Sequence, residues 1–534
     1  MGLLGVSIIT CAVLYGLLAV ILAAVCVSQG LPVFIAFLAV IVVIVLQFIL
    51  SPWITDLIQK WFYHTTFNAQ MPAYLDEFIG QVCAEQNMKR PRMGYIDDGA
   101  PNAFTYGHTK NDARVVLTRG IFELLTEDEV KAVVGHELGH AVHYDMLLMT
   151  MVQVVPMALY AVYDICLRSG NNSGGNNSNN ATAIIGLVAL VLYIICQYII
   201  LWLSRVREYY ADEFSAQVTG DPNALASALV NIGFGLSTRE KGSDAKGSAS
   251  GESVLGIFDS KNSKSMVVNC YNNGEIDKSR IKGAMKWELW NTWAFWYELG
   301  STHPLTSKRI YRLGKLADEM GLRPFVKFDL EKPESFVDDF VREMLINIMP
   351  LVGGILTAIV LYLAMPMSDA LIGIAVAAGF VTGMLLSCVK YLYTHPRRNY
   401  YEANTAGLLS EVKVSMVKSI PCELTGTIIG RGNPGCIFNE DFVLRDETGI
   451  LFLDYNQPLW IINKIFALFK SPEYFNKQVK VKGWYRRNMV PFLELYSFEV
   501  DGQVKKCFTY GFGWAWRLIL LALAVAALGV ALFL

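Results

Sequence analysis

Gly5–Val27 and Leu31–Leu50 are two almost wholly apolar runs separated by a few residues, each about long enough to cross a bilayer as a helix, which takes roughly 20 residues. Met146–Leu167, Ala183–Leu203, Met344–Met365 and Ala370–Val389 are four more. A seventh, Leu518–Leu534, sits at the short limit, with Trp514 and Trp516 ahead of it where an interface would hold them. In lipid every backbone polar group must be paired within the chain, so such runs commit the protein to membrane helices. The composition agrees. With 53% hydrophobic and 17% charged residues, the chain is a membrane protein with sizeable aqueous parts. The first run has no basic stretch ahead of it and leads straight into the second, which reads as two spans and not as a cleaved leader.

Lys and Arg sort the two sides. The connections Ser28–Pro32 and Pro366–Asp369 carry neither, and the Ser169–Thr182 loop has only Arg168 at its edge. Lys60, Lys89, Arg90, Arg205, Arg207, Lys390, Arg397, Arg398 and Arg517 fall on the other side, which the positive-inside rule makes cytosolic. The plan is then two spans in 1–50, a cytosolic segment 51–145, two spans in 146–203, a second cytosolic segment 204–343, two spans in 344–389, a small β domain in 390–511 and a last span in 512–534. The far-side loop NNSGGNNSNNAT holds three N-x-S/T sequons, starting at Asn171, Asn176 and Asn180, as any loop rich in Asn and Ser does. Ten cysteines without a CxxC pair read as inert thiols. The net charge of −2 argues against a nucleic-acid partner.

The aqueous segments differ in kind. SPWITDLIQKWFYHTTF, after the second run, mixes aromatic and basic residues as an interfacial segment does. GYIDDGAPNAFTYGHTKNDARVVLT reads as two strands around turns, and Thr126 to Glu129 is a capping box that opens a helix. STREKGSDAKGSASGES reads as a mobile loop. In the third segment, ELTGTIIG, DFVLRD, ILFLDY, QVKVKGWY and VPFLELYSF are five short strands, with PLWIINKIFALFK helix-like between the third and fourth. That pattern is expected of a small barrel of the OB type. It lacks the basic excess with interleaved aromatics of a nucleic-acid platform, so packing or partner docking is its expected use.

Chemistry concentrates in VVGHELGHAVHYD, Val133–Asp145. On the capped helix His136 and His140 share a face and can offer imidazoles to one metal, while Glu137 lies beside the first, within reach of a water there. Gly135 and Gly139 would let another element approach closely. A catalytic zinc takes three protein ligands and keeps a position open. His143, about 300° around the helix from His140, is badly placed. Glu208 in SRVREYYADEFSA is the better third ligand, with Asp212 one turn on, able to take a hydrogen bond from a ligating histidine. His140 precedes the third span by about 9 Å of helix and Glu208 follows the fourth by about 7.5 Å. The site's two halves are therefore expected to be cytosolic extensions of two membrane helices.

HELGH at 136–140, then two spans, then SRVREYYAD at 204–212, with PNAFTYG at 101–107 and STHPLTSKRI at 301–310, resembles the HtpX-like membrane zinc endopeptidases. These are gluzincins related to the CAAX prenyl protease. The likeness covers roughly residues 1–320. It implies an α-helical multi-span membrane protein whose cytosolic α+β zincin-type protease domain is split by two spans, with the small C-terminal all-β, OB-like domain as an addition. It implies one Zn2+ per chain on His136, His140 and Glu208, with Glu137 as general base. Asn102 would lie on an edge strand that pairs with substrate, and His303 would help stabilise the oxyanion. The substrates would be polypeptides in or near the bilayer, misfolded ones above all, cleaved at the cytosolic face of a prokaryotic plasma membrane. The spans after residue 343 and the barrel depart from the short family pattern.

Each role also has a plain structural reading. His303 precedes a proline and can simply stiffen a helix start, and Asn102 can serve as a turn residue. Two rival functions are a CAAX-type processing protease and a non-catalytic membrane scaffold with a C-terminal binding module. An intact Glu137 beside a full ligand set argues against the scaffold. A transporter is disfavoured because Asp164 is the main charge within the spans.

Overall fold

The computed structural model describes residues 2–30, 32–170, 178–238, 271–272, 275–276, 278–328, 334–364, 369–397, 399–432 and 439–533. The sequon loop and the STREKGSDAKGSASGES segment fall largely outside them. The chain divides into two units, one built mainly of Met1–Ser237 and Glu298–Lys327, the other of Lys264–Tyr297 and Phe328–Leu534. Among the described residues six helices are long and apolar enough to cross a membrane: Leu3–Val27, Asp145–Leu167, Thr182–Thr219, Val337–Ala364, Leu371–Thr394 and Thr509–Phe533.

In the first unit α1 (Leu3–Gln29), α6 (Asp145–Gly170) and α7 (Ser178–Thr219) pack around Leu14, Leu18, Val152, Val155, Leu159 and Leu203. The second apolar run lies in α2 (Val33–Phe62), which continues through Ser51 and Pro52. SPWITDLIQKWF is therefore its last turns and not a separate interfacial piece. Pro52 removes one ladder bond, but the residues after it keep a helical pattern and the helix does not stop.

The aqueous part of this unit is a four-stranded sheet in the order β1-β2-β4-β3. Its strands are β1 (Thr66–Phe67), β2 (Arg92–Ile96), β3 (Ala103–Gly107) and β4 (Ala113–Thr118). Three strands thus occupy the stretch expected to hold two. β4 is buried at every position, with Val115–Leu117 apolar and Arg114 paired to Asp56 and Asp112, so the sequence there does not alternate. β3 is an edge, paired only with β4 within the sheet. Helix α3 (Ala73–Glu85) and the short α4 (Arg119–Leu124) lead to α5 (Glu127–Val142). Both arms of the Thr126–Glu129 capping box are formed, and Asn231 on α8 (Pro222–Thr238) bonds the other Glu129 oxygen. A Cβ on Gly139 would meet Ala211 Cα at 3.1 Å, and one on Gly135 would meet Ser215 Oγ at 3.3 Å, so these glycines let α5 press on α7.

One expectation is corrected here. The helix of the HELGH motif is not the extension of the third span. α5 ends at Val142, Tyr144 takes φ +58°, and α6 starts afresh at Asp145. The sequence carries no Gly or Pro at the break. Asp145 instead turns back to bond His140, and that bond needs the corner. The other half does extend a span, since α7 runs unbroken from the apolar run through Glu208.

The second unit opens with a two-residue strand pair, β5 (Tyr271–Asn272) and β6 (Glu275–Ile276), then α9 (Lys278–Trp290) and α10 (Thr292–Glu298). α12 (Val337–Ala364) and α13 (Asp369–Thr394) cross closely where a Cβ on Gly354 would meet the Gly379 carbonyl at 2.8 Å. After β7 (Tyr401–Glu402) and α14 (Thr405–Ser410) come β8 (Ile420–Arg431), β9 (Phe442–Arg445), β10 (Ile450–Asp454), β11 (Gln478–Arg487), β12 (Pro491–Val500) and β13 (Gln503–Lys506). β8 to β12 close on themselves in the order β8-β9-β10-β12-β11, with β10–β12 the one parallel pairing in the ring, so the β barrel exists. Helix α15 (Trp460–Ile465) follows β10. The chain's last helix, α16 (Thr509–Phe533), begins nine residues before the apolar run and takes Trp514 and Trp516 into its first turns. The remaining helix of the first unit is α11 (Thr306–Glu319). All eight described cysteines are free.

Candidate metal centre

Three side chains from two helices converge. His136 and His140, one turn apart on α5, bring their Nε2 atoms to 3.2 Å of each other. Glu208 on α7 sets Oε2 at 3.5 Å from His136 Nε2 and Oε1 at 3.5 Å from His140 Nε2. Two ligands each about 2.0–2.1 Å from one zinc at the tetrahedral angle lie roughly 3.3–3.4 Å apart, so this triangle has the size a metal requires. Glu208 Oε2 is buried facing the two imidazoles, with His303 Nδ1 at 3.1 Å and Arg309 Nη1 at 3.5 Å beside it, a buried carboxylate that needs cationic surroundings. The donor set fits a divalent metal of zinc's type. His136 and Glu208 are buried, while His140 keeps 13% exposure.

What orients each imidazole is a carboxylate on its other nitrogen. Asp212, one turn after Glu208, stands 2.9 Å from His136 Nδ1 and is held by Arg309 of α11 at 2.6 and 2.9 Å. Asp145 stands 2.7 Å from His140 Nδ1, with Arg207 at 3.6 Å behind it. Each histidine is thus fixed in tautomer and angle, with its Nε2 lone pair turned to the centre. Burial alone would drive the proton off His136, yet hydrogen bonds to Asp212 and Glu208 raise its pKa to about 9. The field at this point favours positive charge, which is what a metal cation would meet.

Glu137 is buried beside His136, and its carbonyl accepts Thr105 Oγ1 of β3 at 3.2 Å. The metal-motif helix is thereby tied to the edge strand. Asn102 precedes that strand. Its amide donates to Thr118 Oγ1 at 2.8 Å, its carbonyl accepts the Thr118 amide at 3.0 Å, and its own side chain accepts the Ala103 amide. The Asn102 side chain therefore shapes the turn into β3. His303 sits at the centre's rim, Nδ1 3.1 Å from Glu208 Oε2, with neither ring nitrogen in an aligned hydrogen bond. Its loop is held by Arg205, whose Nη1 donates to the carbonyls of Glu298 and Ser301, both at 2.8 Å, and by Ser301 Oγ donating to the His303 carbonyl.

The structure thus gathers His136, His140, Glu208, Asp212 and His303 in one place, with Glu137 buried next along the helix from His136. Asp145, Arg205, Arg207 and Arg309 join them and were not singled out by spacing. In the sequence Arg205 and Arg207 read only as topology markers, and Asp145 only as the last residue of the Val133–Asp145 stretch. A buried arginine such as Arg309 is legible in one sequence only if its partner is known.

The profile of peptidase family M48 matches residues 69–317. A protease HtpX homologue of Methanothermobacter thermautotrophicus is 38% identical over 231 residues, 43% of this chain and 85% of that protein. The protease HtpX homologue of Aeropyrum pernix is 29% identical over 298 residues, 55% of this chain and 89% of that protein. The crystal structure of S. mikatae Ste24p aligns over 53% of this chain and 57% of that one, at 16% identity and a TM-score of 0.32, too loose to support any conclusion.

Proposed function

This chain belongs to peptidase family M48, and from that premise we propose that it is an integral membrane metalloendopeptidase whose metal is zinc, held by His136, His140 and Glu208. The observation that carries the reading is the ligand triangle, 3.2 to 3.5 Å on each side, with a buried carboxylate facing both imidazole Nε2 atoms. Zinc there would activate a water and polarise the scissile carbonyl.

The chain's own residues do the rest. Glu137 takes a proton from the attacking water and returns one to the leaving amine. His303, at the rim, donates to the oxygen on which charge develops. β3 lends its open edge to an extended substrate, whose backbone adds as a further strand. Asn102, by fixing the turn into β3, sets where that edge begins. Asp212 and Asp145, backed by Arg309 and Arg207, hold the two imidazoles at the proper angle.

The substrates are polypeptides, and we assign them to misfolded membrane or membrane-proximal proteins, cleaved at the cytosolic face of a prokaryotic plasma membrane. Two features support this. Glu208 rides on a span helix, so the centre is built close to the bilayer, and Lys and Arg cluster on the site's side of the spans. The protease domain is read as two aqueous halves, 51–145 and 204–343, brought together by the spans between them. The barrel is read as OB-type. Its ring with a single parallel contact and a helix after the third strand supports that, and it is read as a docking module with no nucleic-acid role.

The test uses purified full-length chain in detergent. Metal per chain should come to about one, identified as zinc, and an unfolded protein should be cleaved, with activity lost to a chelator and restored by zinc. A fully folded, metal-loaded chain that leaves every unfolded substrate intact would overturn the assignment.

A further inference from the structure

The helix inserted in the barrel has an apolar face with nothing of the described chain over it. Trp460 is 70% exposed, Ile461 53% and Phe469 70%, and Leu459, Ile465 and Leu468 are exposed beside them. The opposite face is satisfied, with Asn463 and Ala467 buried and Asn463 Oδ1 accepting the Gln457 amide at 2.8 Å. So many large apolar side chains clustered within eleven residues mark an interaction surface, not a solvated helix.

We propose that this face lies in the headgroup layer of the same bilayer that α13 and α16 cross, so that lipid holds the barrel at a third point. The inference rests on reading those two helices as spans. Its first support is position. Asn456 and Gln457, just ahead of the helix, are bonded to the start of α16. Gln457 Nε2 donates to the Lys506 carbonyl at 3.1 Å, Gln457 Oε1 accepts the Phe508 amide at 3.0 Å, and Thr509 Oγ1 donates to the Asn456 carbonyl. The end of α13 meets the same level, for Tyr391 donates to the Tyr510 carbonyl at 3.1 Å and the two rings stack. The height at which both spans leave lipid is thereby fixed, and Trp460 is four residues from Asn456, within about 14 Å of extended chain.

The second support is chemistry. Exposed Trp, Phe, Ile and Leu, interspersed with Lys464 and Lys470, which pair with Glu440 and Glu473, are the composition of a helix lying in an interface. Lys505 and Lys506 of β13 are exposed next to it, where they would meet anionic headgroups. Exposed Phe508, Phe512 and Trp516 continue the aromatic band onto α16. A bilayer is already there.

The test places single cysteines in the full chain after the ten native cysteines are replaced and turnover is shown to persist. Spin labels are attached at Ile461→Cys, Phe469→Cys, Leu523→Cys on α16 and Arg445→Cys on an exposed strand position, in nanodiscs with anionic lipid. Collisions with oxygen and with a water-soluble nickel chelate report depth. The oxygen-to-nickel ratio at positions 461 and 469 should exceed that at 445 several-fold and stay below that at 523, as a headgroup-level site requires. A ratio matching position 445 overturns the proposal. So does a label shielded from both reagents, which means protein covers the face. If position 523 itself reads as aqueous, the span reading falls and takes the proposal with it. A lipid value at 523 with an aqueous one at 461 sinks this inference alone.

Discussion

The same three residue types are used in the metal centre and at the floor of the barrel, to opposite ends. In the centre, His136 is backed by Asp212 and Arg309, and His140 by Asp145 and Arg207. At the barrel floor His395 Nε2 stands 3.1 Å from Glu494, which Arg486 holds at 2.6 Å. The difference lies in the second ring nitrogen. His395 Nδ1 meets Thr394 Oγ1 at 3.0 Å, and Arg486 Nη2 also stands 3.0 Å from Nε2, so the ring is used up. It then packs against Tyr391, Trp484 and Tyr510. In the centre the carboxylates occupy Nδ1 and leave both Nε2 atoms facing each other and the two oxygens of the buried Glu208 carboxylate. A histidine–carboxylate–arginine set alone therefore says nothing of function. Convergent, unspent donors do.

The sharpest way to break this contrast is to remove one member from each side. Glu208→Ala should leave the fold and abolish metal binding, because two imidazoles alone make a poor zinc site. His395→Gln should leave metal content and turnover within a few-fold of the parent and instead destabilise the barrel by about 1–3 kcal/mol, the cost of stranding buried partners. Elemental analysis and thermal unfolding of both variants check the pair. Full metal in the first, or lost metal in the second, would reverse the distinction.

Glu137→Gln should fall next in size. Glutamine keeps the shape and both histidines, so metal and fold persist, but it cannot take the proton from water. Turnover of an unfolded substrate should drop by roughly three orders of magnitude, the middle of the range a positioned base supplies. Substrate binding should remain, which makes the variant a trap for physiological substrates. Turnover within a few-fold of the parent, with metal bound, excludes Glu137 as the base.

Asp145→Asn tests whether the second carboxylate matters as the contrast requires. The amide can still accept from His140 Nδ1 but brings no charge. Metal affinity, measured by chelator competition, should weaken by about 10–100-fold while the fold holds. An unchanged affinity would mean Asp145 only builds the corner between α5 and α6.

Much of the centre was legible because helix spacing is local. His136 with His140, and Glu208 with Asp212, must share faces wherever the helices go. What was illegible depends on chain folding. Arg309 reaches Asp212 across 97 residues, and nothing in TSKRI says so. The break at Tyr144 hides in AVHYDMLL, a sequence that reads as uninterrupted helix. Five barrel strands and their helix showed in alternation, but β7 has only two residues, β13 is exposed throughout and has no apolar alternation, and the parallel β10–β12 pairing that closes the ring leaves no local mark. His303 came into view only through the family likeness, since a His-Pro pair by itself reads as a turn.

The smallest expected effect asks whether a matching cation decides a carboxylate's charge in the barrel as it does in the centre. Burial would raise Glu494, but the bond to His395 and the charge of Arg486 bring it down to about 2. Burial raises Asp454 to about 7, helped by Asp441 nearby, with Arg486 too weak an influence to undo it. The sign follows from the proton balance. The unfolded chain gives up this proton near its ordinary 3.8, the folded chain only near 7, so stability falls as pH rises from about 4 to 7 and stays flat beyond. Asp454→Asn carries no such charge and escapes that loss. The unfolding midpoint of the variant should therefore gain on the parent by on the order of a few °C between pH 5 and pH 8. Glu494→Gln should instead fall behind the parent by the same margin at pH 5 and pH 8, because Glu494 contributes stability that is complete above its ordinary 4.5 and is lost only as pH falls from there toward 2. If the gap between Asp454→Asn and the parent is the same at both pH values, Asp454 ionises normally and the barrel's charges are not set by their partners.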